Sequence, residues 1–145
     1  MAENEPQLSE AVTAADRTLA RIRDEGLPAA YVDLQAAMNE YEARSGGTIE
    51  DLLPPEVQGL GFSIASLRNP EVFARTVICK DKKVRGAVHV TFDVVAHQGT
   101  HAGLIALTNT IAASLLLPPM ALTVAGVLAA ILIHKGLSSF CEGAG

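Results

Sequence analysis

The side chains best suited to chemistry in this sequence are His89, Asp93 and His97, which follow one another at intervals of four residues. Four-residue steps bring side chains to one side of an α-helix, and even-numbered steps also bring them to one side of a β-strand. Two imidazoles and a carboxylate can bind a divalent metal ion such as zinc. His101 extends the row, but each step rotates about 40° around a helix, so the outer members diverge.

No established motif accompanies this row, since the sequence contains neither HExxH nor CxxC. The simpler interpretation is a polar stripe in which Asp93 holds a histidine proton or faces solvent. Asp93 is the only Asp, Glu, Lys or Arg between Arg85 and Lys135. If its segment is buried, we expect His89 or His97 to pair with it, because an unpaired buried carboxylate is costly. Within a membrane or pore, Asp93 would be functional by default.

Other chemistries find little support in the sequence. The two cysteines, Cys79 and Cys141, lack an activating pattern, and no Ser/His/Asp set can be assembled. Phosphate-binding loops of the GxxxxGK or GxGxxG type are absent. The chain is acidic, with a net charge of −5 and 4% aromatic residues, which disfavours nucleic-acid binding. We therefore expect a non-enzymatic protein with no cofactor and no nucleic-acid partner.

Charge is divided unevenly along the chain. Residues 1–60 carry twelve acidic and four basic residues, a net charge of 4 − 12 = −8. Residues 61–145 carry four acidic and seven basic residues, a net charge of 7 − 4 = +3. Such an asymmetry indicates either that the two halves dock together or that each has its own partner, although an acidic solvated helical face explains the first half equally well.

The beginning of the sequence and the cysteine spacing bear on the compartment. The first residues, MAENEPQLSE, are acidic and polar and do not resemble a secretory signal peptide. The cysteine spacing matches no zinc or redox motif. A disulfide between the two cysteines is possible, but no sequence feature supports it. The expectation is a location in the cytoplasm or at the cytoplasmic face of a membrane, where both thiols stay free.

Two amphipathic helices are predicted in the N-terminal segment, residues 1–47. An apolar stripe recurs at intervals of three and four residues from Leu8 to Ile22 and predicts a helix ending near Gly26. A second helix is predicted from Pro28 to Arg44, because proline is well placed in a first helical turn. Its apolar positions are Val32, Leu34, Ala37, Met38 and Tyr41. Together the two helices predict an acidic antiparallel hairpin.

The central segment, residues 48–99, holds turns, a helix and one ambiguous stretch. Thr48 and Asp51 have the spacing of a capping arrangement, and Asn69-Pro70 indicates a break followed by a new helix. A basic cluster follows that helix and consists of Lys80, Lys82, Lys83 and Arg85. Residues 87–96 alternate like a strand, but Val88, Phe92 and Val95 also fit a helical face, which we favour because the neighbouring segments are helical.

The C-terminal segment, residues 100–145, is the most apolar part of the chain. From Thr100 to His134 it contains no acidic residue, lysine or arginine, and Pro118-Pro119 divides it in two. At 1.5 Å per residue the two pieces would be roughly 27 Å and 22 Å long as helices. A helical hairpin followed by a glycine-rich tail is predicted, and small residues in both pieces would permit close helix approach.

These elements predict a mainly all-α bundle of about five to six helices with an apolar C-terminal hairpin and a possible short strand at 87–96. Three hypotheses account for that hairpin. It associates with a membrane, it forms the core or subunit interface of a soluble oligomeric interaction module, or it is shielded in a soluble form and then released, an arrangement for which pore-forming toxins offer only an architectural analogy. A metal-binding protein using His89, Asp93 and His97 remains a further alternative.

The membrane hypothesis commits to particular residues and partners. The basic cluster would contact anionic lipid, and both ends of the hairpin carry positive charge, as cytoplasmic ends of membrane segments do. The expected partners are a second copy of the chain, membrane lipid and possible protein partners. The apolar contact residues are predicted to be Leu104, Leu107, Leu115, Leu116, Leu117, Val124, Leu128, Ile131 and Leu132.

Overall fold

The computed structural model describes residues 5–53, 68–95 and 99–142 of the chain. This part of the molecule is an all-α bundle with seven α-helices and no strand, as the apolar periodicity predicts. The short C-terminal helix makes the number larger than the expected five to six. The α-helices are α1 (Glu5–Glu25), α2 (Leu27–Ser45), α3 (Pro70–Cys79), α4 (Lys82–Val95), α5 (Thr100–Ser114), α6 (Leu122–Lys135) and α7 (Leu137–Cys141). Short 3₁₀ turns lie at Ile49–Leu52 and Pro119–Ala121.

The N-terminal hairpin forms where the sequence predicts it. Gly26 separates α1 from α2 with φ +94°, and Gly46 ends α2 with φ +73°, conformations that glycine adopts without steric cost. The predicted α2 face is buried at Leu34, Ala37, Met38 and Tyr41, but Val32 is 61% exposed and does not belong to it. On α1 the buried stripe consists of Ala11, Ala15, Leu19 and Ile22, with Val12 at its edge.

Polar caps determine where the next elements begin. The Asp51 carboxylate accepts a hydrogen bond from the Thr48 backbone N–H at 3.1 Å, which confirms the predicted capping arrangement. Asn69 caps α3 by accepting from the backbone N–H groups of Glu71 and Val72. The predicted break and restart at Asn69-Pro70 is therefore also confirmed.

Residues 82–95 form helix α4, so the strand alternative is wrong over this range. Val88 and Val95 are buried on the helical face, whereas Val90 and Val94, which alternation would place with them, are 61% and 60% exposed. The described part of the chain offers no strand to pair with, while α3 and α5 both pack against α4. A helix forms its backbone hydrogen bonds within itself, whereas a lone strand leaves its backbone groups unpaired.

Helix α6 is the centre of the bundle. Every residue from Val124 to Leu132 is buried, and α1, α5 and α2 all pack against it. At one point α6 comes so close to α1 that a Cβ atom at Gly126 would collide with the backbone carbonyl of Ala11. A single chain therefore encloses a helix that is apolar on all sides, with α1 as its most extensive cover.

The two cysteines are joined by a disulfide rather than free, which corrects the prediction of reduced thiols. Cys79 ends α3 and Cys141 ends α7, and their Cα atoms are 5.6 Å apart. That separation lies within the range that a disulfide requires. The spacing of 62 residues resembled no motif because the cysteines meet through the packing of the helices between them. The bond ties the end of the apolar hairpin to α3.

Candidate functional site

The predicted metal-binding row does not form a metal site among the residues that the structure describes. His89 Nε2 and Asp93 Oδ2 lie 3.6 Å apart on the surface of α4, with both side chains largely exposed. His101 lies instead 3.4 Å from Asp16 of α1. Within residues 5–53, 68–95 and 99–142, no group of three potential metal ligands is present. His97 lies outside the described residues, so the complete row stays a prediction.

The predicted apolar contact residues divide into a buried set and an exposed one. Leu116 is 82% exposed, and Leu117 is partly buried. The other predicted contacts are core residues of the single chain: Leu104, Leu107, Leu115, Val124, Leu128, Ile131 and Leu132. These buried residues could contact lipid or another protein only if the bundle opened.

The turn between α5 and α6, residues 115–121, is the hairpin tip. It begins with a Schellman motif, in which the Leu117 N–H donates to the Ala112 carbonyl at 3.0 Å and the Leu116 N–H donates to the Ala113 carbonyl at 3.2 Å. Leu116 therefore occupies the position that glycine usually fills, with φ +53°. Among the described residues it is the only non-glycine residue with positive φ.

Leu116 thus combines two unfavourable properties at one position. A left-handed conformation costs a non-glycine residue about 1 kcal/mol or more. The leucine gains no compensating burial, because its side chain projects into solvent. Strained residues that persist without a packing reason are candidates for function. The sequence held one signal of this feature, since no glycine follows α5 before the Pro118-Pro119 pair.

The surroundings of the tip are partly charged. Met120 is 38% exposed and lines a shallow cavity of about 280 Å³ together with Pro119, Thr123, Glu10 and Arg44. Glu10 belongs to α1 and Arg44 to the end of α2, so the N-terminal hairpin borders one side of the tip.

The basic cluster lies at the start of α4, and all four of its side chains are exposed. Between them, Asp81 is buried and accepts hydrogen bonds from the backbone N–H groups of Lys83 and Val84, at 2.7 Å and 3.1 Å. Asp81 is thereby engaged as the N-cap of α4. The cluster consists of Lys80, Lys82, Lys83 and Arg85.

Two further cavities in the described part of the bundle contain no evident catalytic arrangement. One, of about 360 Å³, lies between the starts of α2 and α3 and includes Tyr31, Glu71 and Lys135. Partial burial, reinforced by the charge of Glu71 and opposed by Arg75, raises the pKa of the Tyr31 hydroxyl above its usual value. The other, of about 290 Å³, is mainly apolar and is lined by Phe92, Val95, Gly99, Thr100, Gly103 and Ile133.

No helix in the described ranges is both long enough and apolar enough to cross a bilayer. No protein-family model, curated protein or solved structure matches this chain. The function must therefore be inferred from the chain's own residues and their geometry.

Proposed function

We propose that this protein is non-enzymatic and associates with membranes through its C-terminal hairpin, and that the bundle described above is its shielded form. The observation that carries the proposal is Leu116, a strained and largely exposed leucine at the tip of a hairpin whose second helix is apolar on all sides. Burial of one leucine in an apolar phase is worth about 1.5–3 kcal/mol, which a membrane would supply at this position.

The hairpin would enter the membrane–water interface rather than span the bilayer. Helices α5 and α6 contain 15 and 14 residues. These lengths correspond to roughly 22 Å and 21 Å, below the hydrocarbon thickness of about 30 Å. If the hairpin enters the membrane with its tip first, both of its ends stay on one side of the membrane. This arrangement is compatible with the Cys79–Cys141 bond, which joins α3 to α7.

The N-terminal hairpin is suited to act as a removable cover. Thr18 donates a hydrogen bond to Asp33 at 2.9 Å, and Arg21 forms an ion pair with the same carboxylate, so α1 and α2 are tied to each other. Neither helix is linked to the rest of the bundle by a disulfide. Displacement of α1 and α2 as one unit would expose α6, while the disulfide would still hold the α3–α7 part together.

Flotation with lipid vesicles tests the proposal. The double variant Leu116→Ser, Met120→Ser removes the two large apolar side chains that are exposed at the tip. We expect it to bind vesicles at least tenfold more weakly than the parent protein. Val32→Ser is the control, because Val32 is 61% exposed on α2 and lies outside the tip. Equal binding by all three proteins, or no binding by the parent protein, would contradict the proposal.

A second candidate function is a soluble interaction module that forms homo-oligomers or binds another protein. It is favoured by Val90 and Val94, which lie one turn apart and are both largely exposed on α4. Light scattering with and without detergent would measure the mass directly. A dimer that the double variant Val90→Ser, Val94→Ser converts to monomer, without vesicle binding by either protein, would favour this candidate over the membrane proposal.

A further inference from the structure

The register of α4 against α5 is set by two contacts. The hydroxyl oxygens of Thr91 and Thr110 lie 2.7 Å apart, within hydrogen-bonding distance. Towards the other end of the pair, a Cβ atom at Gly103 would lie 3.7 Å from Cγ2 of Val95. As the position on α4 increases by four residues, the position on α5 decreases by seven, so the two helices are antiparallel.

This register brings two distant parts of the sequence to one end of the bundle. Starting from the Thr91–Thr110 pair, Arg85 lies six residues back along α4, and Leu116 lies six residues forward along α5 and into the tip. Because the helices are antiparallel, both displacements point in the same direction. Lys82, which begins α4, lies almost another turn further along. Lys82 and Arg85 therefore lie towards the same end of the α4–α5 pair as the exposed leucine.

We propose that the membrane partner of the hairpin tip is an anionic lipid surface, with Lys82 and Arg85 contacting the headgroups while Leu116 and Met120 enter the acyl boundary. This inference rests on the proposed function and adds the charge of the lipid. Basic side chains beside an exposed apolar group combine the two attractions that hold proteins at anionic interfaces.

The charges around the tip favour this partner. The carboxylate nearest in sequence to Lys82 belongs to Asp81, which is buried and bonded to the backbone, so it does not form part of the exposed surface. The acidic residue lining the cavity beside Met120 is Glu10, on the α1 side, and Arg44 accompanies it there. On the α4 side, Lys82 and Arg85 are exposed, and these are the side chains that would meet anionic headgroups.

Binding to two kinds of vesicle tests the inference, one of phosphatidylcholine alone and one also containing phosphatidylserine. Each basic residue near an anionic surface contributes roughly a fivefold gain in binding. We therefore expect the double variant Lys82→Gln, Arg85→Gln to bind the phosphatidylserine-containing vesicles about 30-fold more weakly than the parent protein does. Its binding to the vesicles of phosphatidylcholine alone should change little. Added salt should reduce the difference in vesicle binding between the parent protein and the variant.

The control is Arg17→Gln, Arg23→Gln, which removes the same charge from exposed positions on α1. It should bind phosphatidylserine-containing vesicles nearly as strongly as the parent protein does. Thermal melts should show that both double variants remain folded. Equal binding of the parent protein to both vesicle types would overturn the anionic preference while leaving the tip proposal intact. Failure to bind either vesicle type would overturn both.

Discussion

Gly126 of α6 lies against the backbone carbonyl of Ala11 in α1, so closely that a Cβ atom has no room between the two helices. This contact allows α1 to approach the most apolar helix of the bundle. Because the neighbouring atoms at this point are backbone atoms, a larger residue cannot be accommodated by turning a side chain. The fit between α1 and α6 therefore depends on a glycine at position 126.

Replacement of that glycine should loosen the cover. We expect Gly126→Ala to lower the free energy of unfolding by about 1–3 kcal/mol through overpacking, measured by urea unfolding. Gly86→Ala is the matched control, since Gly86 lies in α4 with no neighbouring atom in the way. That change should raise stability by about 0.5–1 kcal/mol. Similar effects of both substitutions would show that the α1–α6 approach is not tight.

Leu116→Gly should separate the structural role of the tip from its proposed function. Glycine adopts the left-handed conformation of this position without strain, so we expect the free energy of unfolding to rise by about 1 kcal/mol. The same change removes the exposed side chain and should weaken vesicle binding. A variant that is more stable and binds membranes as well as the parent protein would show that Leu116 has no role in binding.

Reduction of the Cys79–Cys141 bond should destabilise the bundle. For a closed loop of this size the chain-entropy model gives about 4 kcal/mol. A thermal melt with and without a thiol reductant should therefore show a decrease in Tm of about 10–20 °C. The variant Cys79→Ser, Cys141→Ser should melt at a temperature that does not respond to the reductant.

Thiol labelling of the protein in intact cells would also test its location. The disulfide is expected to persist in an oxidising compartment, whereas the predicted cytoplasmic location would favour reduced thiols. Two labelled cysteines in native protein, together with an unchanged Tm after reduction, would contradict the disulfide.

Tyr31 should respond to alkaline pH. Its pKa is raised in the folded state because burial and Glu71 disfavour the phenolate. The stability linked to this residue is therefore fully present below the unfolded pKa of about 10 and is lost as pH rises through the folded value. Absorbance titration of a Tyr41→Phe variant, which retains Tyr31 as its single tyrosine, should give a midpoint above 10. A midpoint at or below that value would contradict the burial of Tyr31.

Local sequence signals determined the helical elements of this protein and several of their ends. Asn69-Pro70 begins a helix because the asparagine side chain satisfies backbone N–H groups that a new helix leaves unpaired. Pro118-Pro119 divides the apolar segment because proline cannot continue a regular helix. Such features depend only on neighbouring residues, so they could be predicted without knowledge of the fold.

The tertiary structure decided the features that depend on distant residues. The described part of the ambiguous stretch, residues 87–95, fits both the two-residue period of a strand and the helical period, and packing against α3 and α5 selects the helix. Cys79 and Cys141 meet because the helices between them fold back, and the α4–α5 register brings Arg85 to the end of the bundle that holds Leu116. Apolar periodicity reveals which face of a helix is buried, but only the packing of the whole chain determines which faces and ends come together.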